Sequence, residues 1–179
     1  MQAIDVIHYW FEELTPQQWW IKDNKLDMQI TNRFAQLHRQ AMQGELFRWR
    51  ETALGSLAEV IVLDQFSRNI YRDTAKSFAA DPLALALAQQ AISKSYDKEV
   101  SEQQRGFFYL PFMHSESVII HKEAVKLYKE LGNENNLSFE LQHQAIIERF
   151  GRYPHRNSIL GRQSTSEEQA FLKEPGSSF

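Results

Sequence analysis

Apolar residues recur along this chain every three or four positions, and alternating stretches are nearly absent. Ile4, Ile7, Phe11 and Leu14 fall at that spacing, and Leu26, Ile30, Phe34, Leu37 and Ala41 form a second stripe. This period predicts amphipathic helices. Start signals agree with it: Thr15-Pro16-Gln17-Gln18 offers an N-cap, a first-turn proline and a capping-box glutamine. Asp81-Pro82 opens Leu83–Ile92 in the same way, and Thr165-Ser166-Glu167-Glu168 reads as a capping box before a short helix carrying Phe171 and Leu172. Gly132 is placed to end the helix holding Leu127, Tyr128 and Leu131. From Ala53 to Phe66 the pattern is apolar nearly all round, which predicts a central, surrounded helix. The longest loops are expected near 43–46 and 132–137.

These signals predict an all-α architecture of roughly seven to nine antiparallel helices. The segment Ala124–Gly132 resembles the second helix of a tetratricopeptide-repeat (TPR) hairpin, so a TPR-like stack of helical hairpins is expected, although no 34-residue period runs through the chain. With 179 residues and no linker, residues 1–179 are expected to form one compact helical domain. Seven glycines and five prolines are too few for a turn-rich β-sandwich. No cysteine is present, which excludes a disulfide framework, thiolate metal sites and a cysteine nucleophile. No apolar run suits a membrane helix and the N-terminus lacks a signal-peptide pattern, so the expected compartment is the cytoplasm, with no membrane partner.

Three polar segments interrupt the core pattern. At the end of the central helix, Asp64 needs a partner; Arg68 lies one turn on and can supply it, with Asn69 beside it. Tyr109–Glu116 carries His114 and Glu116 and leads to His121. These are acceptable divalent-metal ligands, but they lack the spacing of His-Glu-x-x-His. A break near Pro111 is expected, with Ser115 capping the next helix and His114 hydrogen-bonded in the core; no metal and no cofactor is expected. The third segment, residues 149–162, holds Arg149, Arg152, His155, Arg156, Asn157 and Arg162: four arginines in fourteen residues with no acid among them, in a chain of net charge −3. Arginine forks match carboxylate and phosphate geometry. Asp64, Glu116 and Glu148 can neutralise them as a buried network, or an anionic ligand can. A nucleic-acid surface would need a longer basic stripe and positive net charge, so no nucleic-acid partner is expected.

Together these segments resemble an uncharacterised bacterial domain-of-unknown-function family with a TPR-like all-helical fold. The matching stretches are Leu-Asp-Gln-Phe-x-Arg-Asn at 63–69, Phe-x-x-Asp-Pro-x-Ala at 78–84 and Tyr-Leu-Pro-x-Met-His-Ser-Glu at 109–116. Arg-Phe-Gly-Arg-Tyr-Pro-His-Arg-Asn at 149–157, Leu-Gly-Arg-x-Ser-Thr-x-Glu-Glu at 160–168 and the closing Pro-Gly-Ser-Ser-Phe extend the match, and Trp10-Phe11 and Trp19-Trp20 fit it too. The resemblance implies a helical domain of this length and no established activity. The chain departs from the family pattern at Ser67, where proline is common, and at Ser117 and His121, where acidic residues and glutamine are usual. The departure at His121 argues against a metal role there.

Four readings remain open. In the first, Asp64, Arg68, Asn69, His114, Glu116, Arg149, Arg152, His155, Arg156, Asn157 and Arg162 line a polar pocket for an anionic small molecule. In the second, a hydrolase or lyase uses that pocket, with Glu116 or Asp64 as base and His114 or His155 as its partner. In the third the chain is a TPR-like interaction scaffold. In the fourth the arginine–carboxylate set is a structural salt-bridge network only.

Overall fold

The computed structural model describes residues 1–178, leaving Phe179, the last residue of the Pro-Gly-Ser-Ser-Phe motif, outside the described residues. Eight α-helices run through them: α1 Ala3–His8, α2 Asn24–Met42, α3 Ala53–Ile70, α4 Asp81–Ser93, α5 Glu102–Met113, α6 Val118–Leu131, α7 Glu134–Phe150 and α8 Ser166–Phe171. Short 3-10 or π turns link several of them, and no strand occurs among the described residues. The fold is all-α. No helix of the described residues is long and apolar enough to cross a membrane. The chain divides into two compact units, one of residues 1–72 and 76–111, the other of residues 73–75 and 112 onward.

The first unit is organised on α3, against which α1, α2, α4 and the 3-10 turn Phe47–Glu51 all pack. Every residue from Gly55 to Ser67 is buried, as the all-round apolar pattern predicts. Leu57, Ile61, Leu63 and Phe66 are fully enclosed, each contributing about 1.5–3 kcal/mol by burial. Phe66 meets Phe34 at 4.6 Å and Trp10 at 5.6 Å between ring centroids. Leu26, Ile30, Phe34, Leu37 and Ala41 of α2 are all buried, matching the predicted stripe. The first stripe is different. Ile4 is exposed, and the buried set is Val6, Ile7, Tyr9, Trp10 and Leu14. A π turn over Tyr9–Glu13 follows α1 and winds more residues into a turn, so that within it Trp10 is buried and Phe11 only half-buried. Trp10 belongs to the core while Trp20 is exposed.

In the second unit, Gly132 ends α6 with φ +78° and the Asn133 side chain caps α7 at the Asn136 amide, 3.0 Å away. This two-residue link replaces the longer loop expected at 132–137 and folds α7 against α6 as a helical hairpin. Ile146, Ile147 and Tyr153 form its core with Val118, Phe150 and Phe171. The Thr165–Glu168 capping box forms as predicted. Two expectations on helix ends change. Asp81 is not a cap, because its carboxylate is taken by Arg68. The break expected near Pro111 comes two residues on, where α5 ends at Met113. Ser115 does not cap α6 either; that position belongs to Ser117.

Gly55 gives the tightest constraint in α3. A Cβ there would collide with the Trp49 carbonyl oxygen and lie 2.8 Å from Thr52 Oγ1. Alanine elsewhere in a helix gains on glycine by about 1 kcal/mol. Gly55→Ala is expected instead to cost about 1–3 kcal/mol, seen as a lower urea midpoint at unchanged slope. A raised midpoint would mean that the carbonyl leaves room for the methyl group.

Candidate functional site

Burial forces the polar residues of α3 to find partners inside the first unit. Glu59, fully buried, receives a two-pronged bond from Arg50 at 2.7 Å on each side. Asp64 pairs with Arg68 at 3.5 Å and accepts from the neighbouring Gln65 amide. Arg68 also reaches both Asp81 oxygens, at 3.0 and 3.2 Å. Asn69 donates to Asp27 at 2.8 Å, and Arg72 grips the same carboxylate. The expected Asp64–Arg68 pair is therefore present, with Asp81 as a second acceptor.

The second unit holds the remaining predicted residues around two carboxylates. Glu116 accepts both prongs of Arg162, at 2.7 and 2.8 Å, and the Tyr153 amide at 2.7 Å. Burial alone would raise its carboxyl, but the Arg162 guanidinium and the Tyr153 amide outweigh this and hold it below the ordinary range. Arg162 also donates to Asn157 at 2.9 Å. Glu168 accepts both prongs of Arg152 at 2.7 and 2.9 Å, the Thr165 amide at 2.7 Å and the Asn157 amide at 3.3 Å. Those donors, Arg152 first, hold it down to about 2. Arg149 is exposed and pairs with Glu167 at 2.8 Å. Arg156 is buried; it donates to the His114 carbonyl at 3.0 Å and lies over the Tyr153 ring. His155 stands beside that ring at 5.6 Å. Glu148, considered above as a neutralising anion, is exposed, and Glu167 and Glu168 serve where it was expected.

Deeper in this unit, His121 and Glu140 are fully buried and joined at 2.7 Å through Nδ1. His121 Nε2 faces the Ser115 carbonyl at 2.8 Å, so it carries a proton. Burial pushes the Glu140 carboxyl up. His114, Glu116 and His121 do not assemble a metal site: no group of three or more His, Asp or Glu able to hold a metal occurs among the described residues.

The sequence patterns did not point to a cleft in the first unit. His38, Arg39, Met42 and Gln43 at the end of α2, Tyr71 at the end of α3, and Lys76 and Ala79 line a space of about 320 Å³. No acidic residue lines it. Arg39 and Lys76 are exposed and, among the described residues, neither is in an ion pair. Both sit by helix C-termini, where cations are favoured without a carboxylate. His38 is 3% exposed; its Nε2 lies 2.7 Å from Ser67 Oγ, and its Nδ1 has no partner. Burial holds the ring's pKa down to about 4, so it is neutral at pH 7. A lone histidine inside an apolar helical stripe carries no motif that would have singled it out.

A model of a bacterial protein family of unknown function, DUF924, matches residues 6–176. The chain belongs to that family. A solved structure of a protein of unknown function from Agrobacterium tumefaciens is 42% identical to this DUF924 chain, covers 96% of each of the two chains and superposes with a TM-score of 0.92. No curated protein matches the chain.

The Glu168 pairings of this DUF924 member have a pH signature. The folded value lies below the ordinary 4.5, so the stabilisation is complete above that pH and is lost as pH falls towards about 2. Glu168→Gln is expected to lower the melting temperature at pH 7 and to flatten its decline between those limits. A variant that declines as steeply as wild type would place the acid sensitivity elsewhere.

Proposed function

We propose that this chain binds a small anionic molecule, and that the anion is held in the first-unit cleft by Arg39 and Lys76. The observation that carries this reading is a pair of cations, neither in an ion pair, on a cleft lined by no acid. A site built for an anion needs positive charge that the protein itself does not neutralise. The space suits a ligand displacing on the order of ten waters, at the small end of metabolite sites. Met42 and Ala79 supply an apolar lining beside the charges.

The same criterion gives Arg149, Arg152 and Arg162 a structural role. Each already meets a carboxylate of its own chain, and a ligand anion would have to displace Glu167, Glu168 or Glu116. Asp64, Arg68 and Asn69 are likewise engaged with Asp81 and Asp27. Arginine–carboxylate forks with additional backbone donors are favourable as structure.

Calorimetric titration with inorganic phosphate, acetate, lactate and glycerol phosphate tests the reading. At least one is expected to bind, with affinity falling about tenfold or more in the double variant Arg39→Ala/Lys76→Ala. Arg152→Ala is expected to lower the melting temperature and leave affinity within about twofold. If the double variant binds as wild type does, or if none of the four anions binds, the cleft is not the site.

A further inference from the structure

Two walls of the cleft repeat one arrangement. Arg39 and Met42 stand three residues apart in the last turn of α2. Lys76 lies in the 3-10 turn Ala75–Phe78, and Ala79 follows that turn, again three residues on. Residues at this spacing are surface neighbours in either kind of helix. The Ala79 amide donates to the Lys76 carbonyl at 3.2 Å, which closes the second pairing. All four side chains line the cleft and all four are exposed. Each cation thus has an apolar group one turn on, open to the same space. Met42 is 39% exposed, so its methylenes and thioether are left to water until a ligand covers them.

The rest of the lining adds carbon more than hydrogen-bonding capacity. Lys76 Nζ stands 5.8 Å from the centre of the Tyr71 ring, so an anion held by Lys76 lies beside an aromatic face. That face is electronegative and favours an apolar group over further negative charge. His38 presents no polar atom to a ligand: its Nε2 is taken by Ser67 Oγ at 2.7 Å, and its Nδ1 is shut off from solvent. A sugar-like ligand, which needs a partner for each hydroxyl it buries, is poorly served by such walls. A hydrocarbon body is served well. We infer that the cleft takes an anion with a short apolar body, an alkyl or aryl carboxylate or the phosphate ester of a short alcohol, with its charged end on Arg39 and Lys76 and its carbon against Met42, Ala79 and the Tyr71 ring. This rests on the anion-binding reading above and names the ligand class. The space of about 320 Å³ sets its size at on the order of ten non-hydrogen atoms.

Two homologous series test the class: acetate, butyrate and hexanoate, and methyl, propyl and butyl phosphate. Complete burial of a methylene is worth about fourfold in affinity, so a cleft open to solvent is expected to give about two- to threefold per methylene in one series or both. The series that climbs identifies the headgroup. The neutral counterparts hexanamide and butanol are expected to bind about tenfold more weakly than the anions they match. Met42→Gln keeps the length and helix propensity of the side chain and makes its end polar. It is expected to flatten the climb and to leave the shortest member within about twofold of wild type. Methyl NMR of labelled methionine gives a second readout in wild type itself. The Met42 signal, identified by its loss in Met42→Leu, is expected to move with hexanoate or butyl phosphate and to stay put with acetate or methyl phosphate. Level affinity along both series, a climb that Met42→Gln leaves intact, or a Met42 signal unmoved by the longest members overturns the apolar body and leaves anion binding standing. No binding by any anion, binding indifferent to Arg39→Ala/Lys76→Ala, or binding equalled by the neutral counterparts overturns the anion-binding reading itself.

Discussion

Helix α3 is buried within the first unit from Gly55 to Ser67, and that burial dictates much of what surrounds it. A buried polar group must find its partner within the protein or impose a penalty of about 1–3 kcal/mol, and more when charged. Three of the buried polar side chains of α3 show how this demand is met. Glu59 draws in Arg50, so the turn before α3 is tied to the helix it precedes. Asp64 engages Arg68, which in turn holds Asp81 and thereby the start of α4. Ser67 settles its proton on Leu63 and its lone pair on His38, which ties α3 to α2. The apolar contacts give α3 its stability, while these polar contacts specify which neighbour stands where.

The second unit meets the same demand with carboxylates at the centre. Glu116 and Glu168 each collect a guanidinium fork and a backbone amide, so the irregular chain from Tyr153 to Thr165 is fastened at both ends of its course. A segment with little helix of its own needs such fastening, because its backbone donors are not satisfied by a regular ladder. Tyr153 is the pivot: its amide goes to Glu116, its hydroxyl to the Met113 carbonyl, and its ring is covered by Arg156. The stacked guanidinium and the bonded hydroxyl let a polar tyrosine serve as core.

Features encoded by neighbours in the chain could be read from the sequence. The α2 stripe, the Thr165–Glu168 box and the Gly132 terminus each depend on residues within about four positions of one another, and each is present. Features that depend on distant partners were not legible. Asp81 has every local mark of an N-cap, yet Arg68, thirteen residues earlier, claims its carboxylate. Glu168 was visible as a capping residue, whereas its pairing with Arg152 needs the intervening chain to fold back. The π turn at Tyr9–Glu13 has no residue signature, and within it Trp10 is buried while Phe11, placed on the inner face by the spacing, is only half-buried. Pro111 has no N–H to bond the preceding turn, and α5 ends two residues after it, at Met113.

The same division between local and distant information explains why the densest charge in the sequence and the candidate binding site lie apart. Four arginines within fourteen residues attract attention, but a folded protein keeps such density only by supplying anions, and Glu116, Glu167 and Glu168 do so. Self-neutralised charge leaves little for a ligand. Cations available to a ligand must be few and set where no carboxylate reaches them; Arg39 and Lys76 meet this condition at the C-terminal ends of helices. They stand thirty-seven residues apart in the chain, with no motif joining them. What brings them together is the packing of α2 on α3, the same contact that the Ser67–His38 bond specifies. On this reading the site follows from the central constraint of the fold: the bond that satisfies Ser67 also fixes the last turn of α2, which carries Arg39, against the last turn of α3.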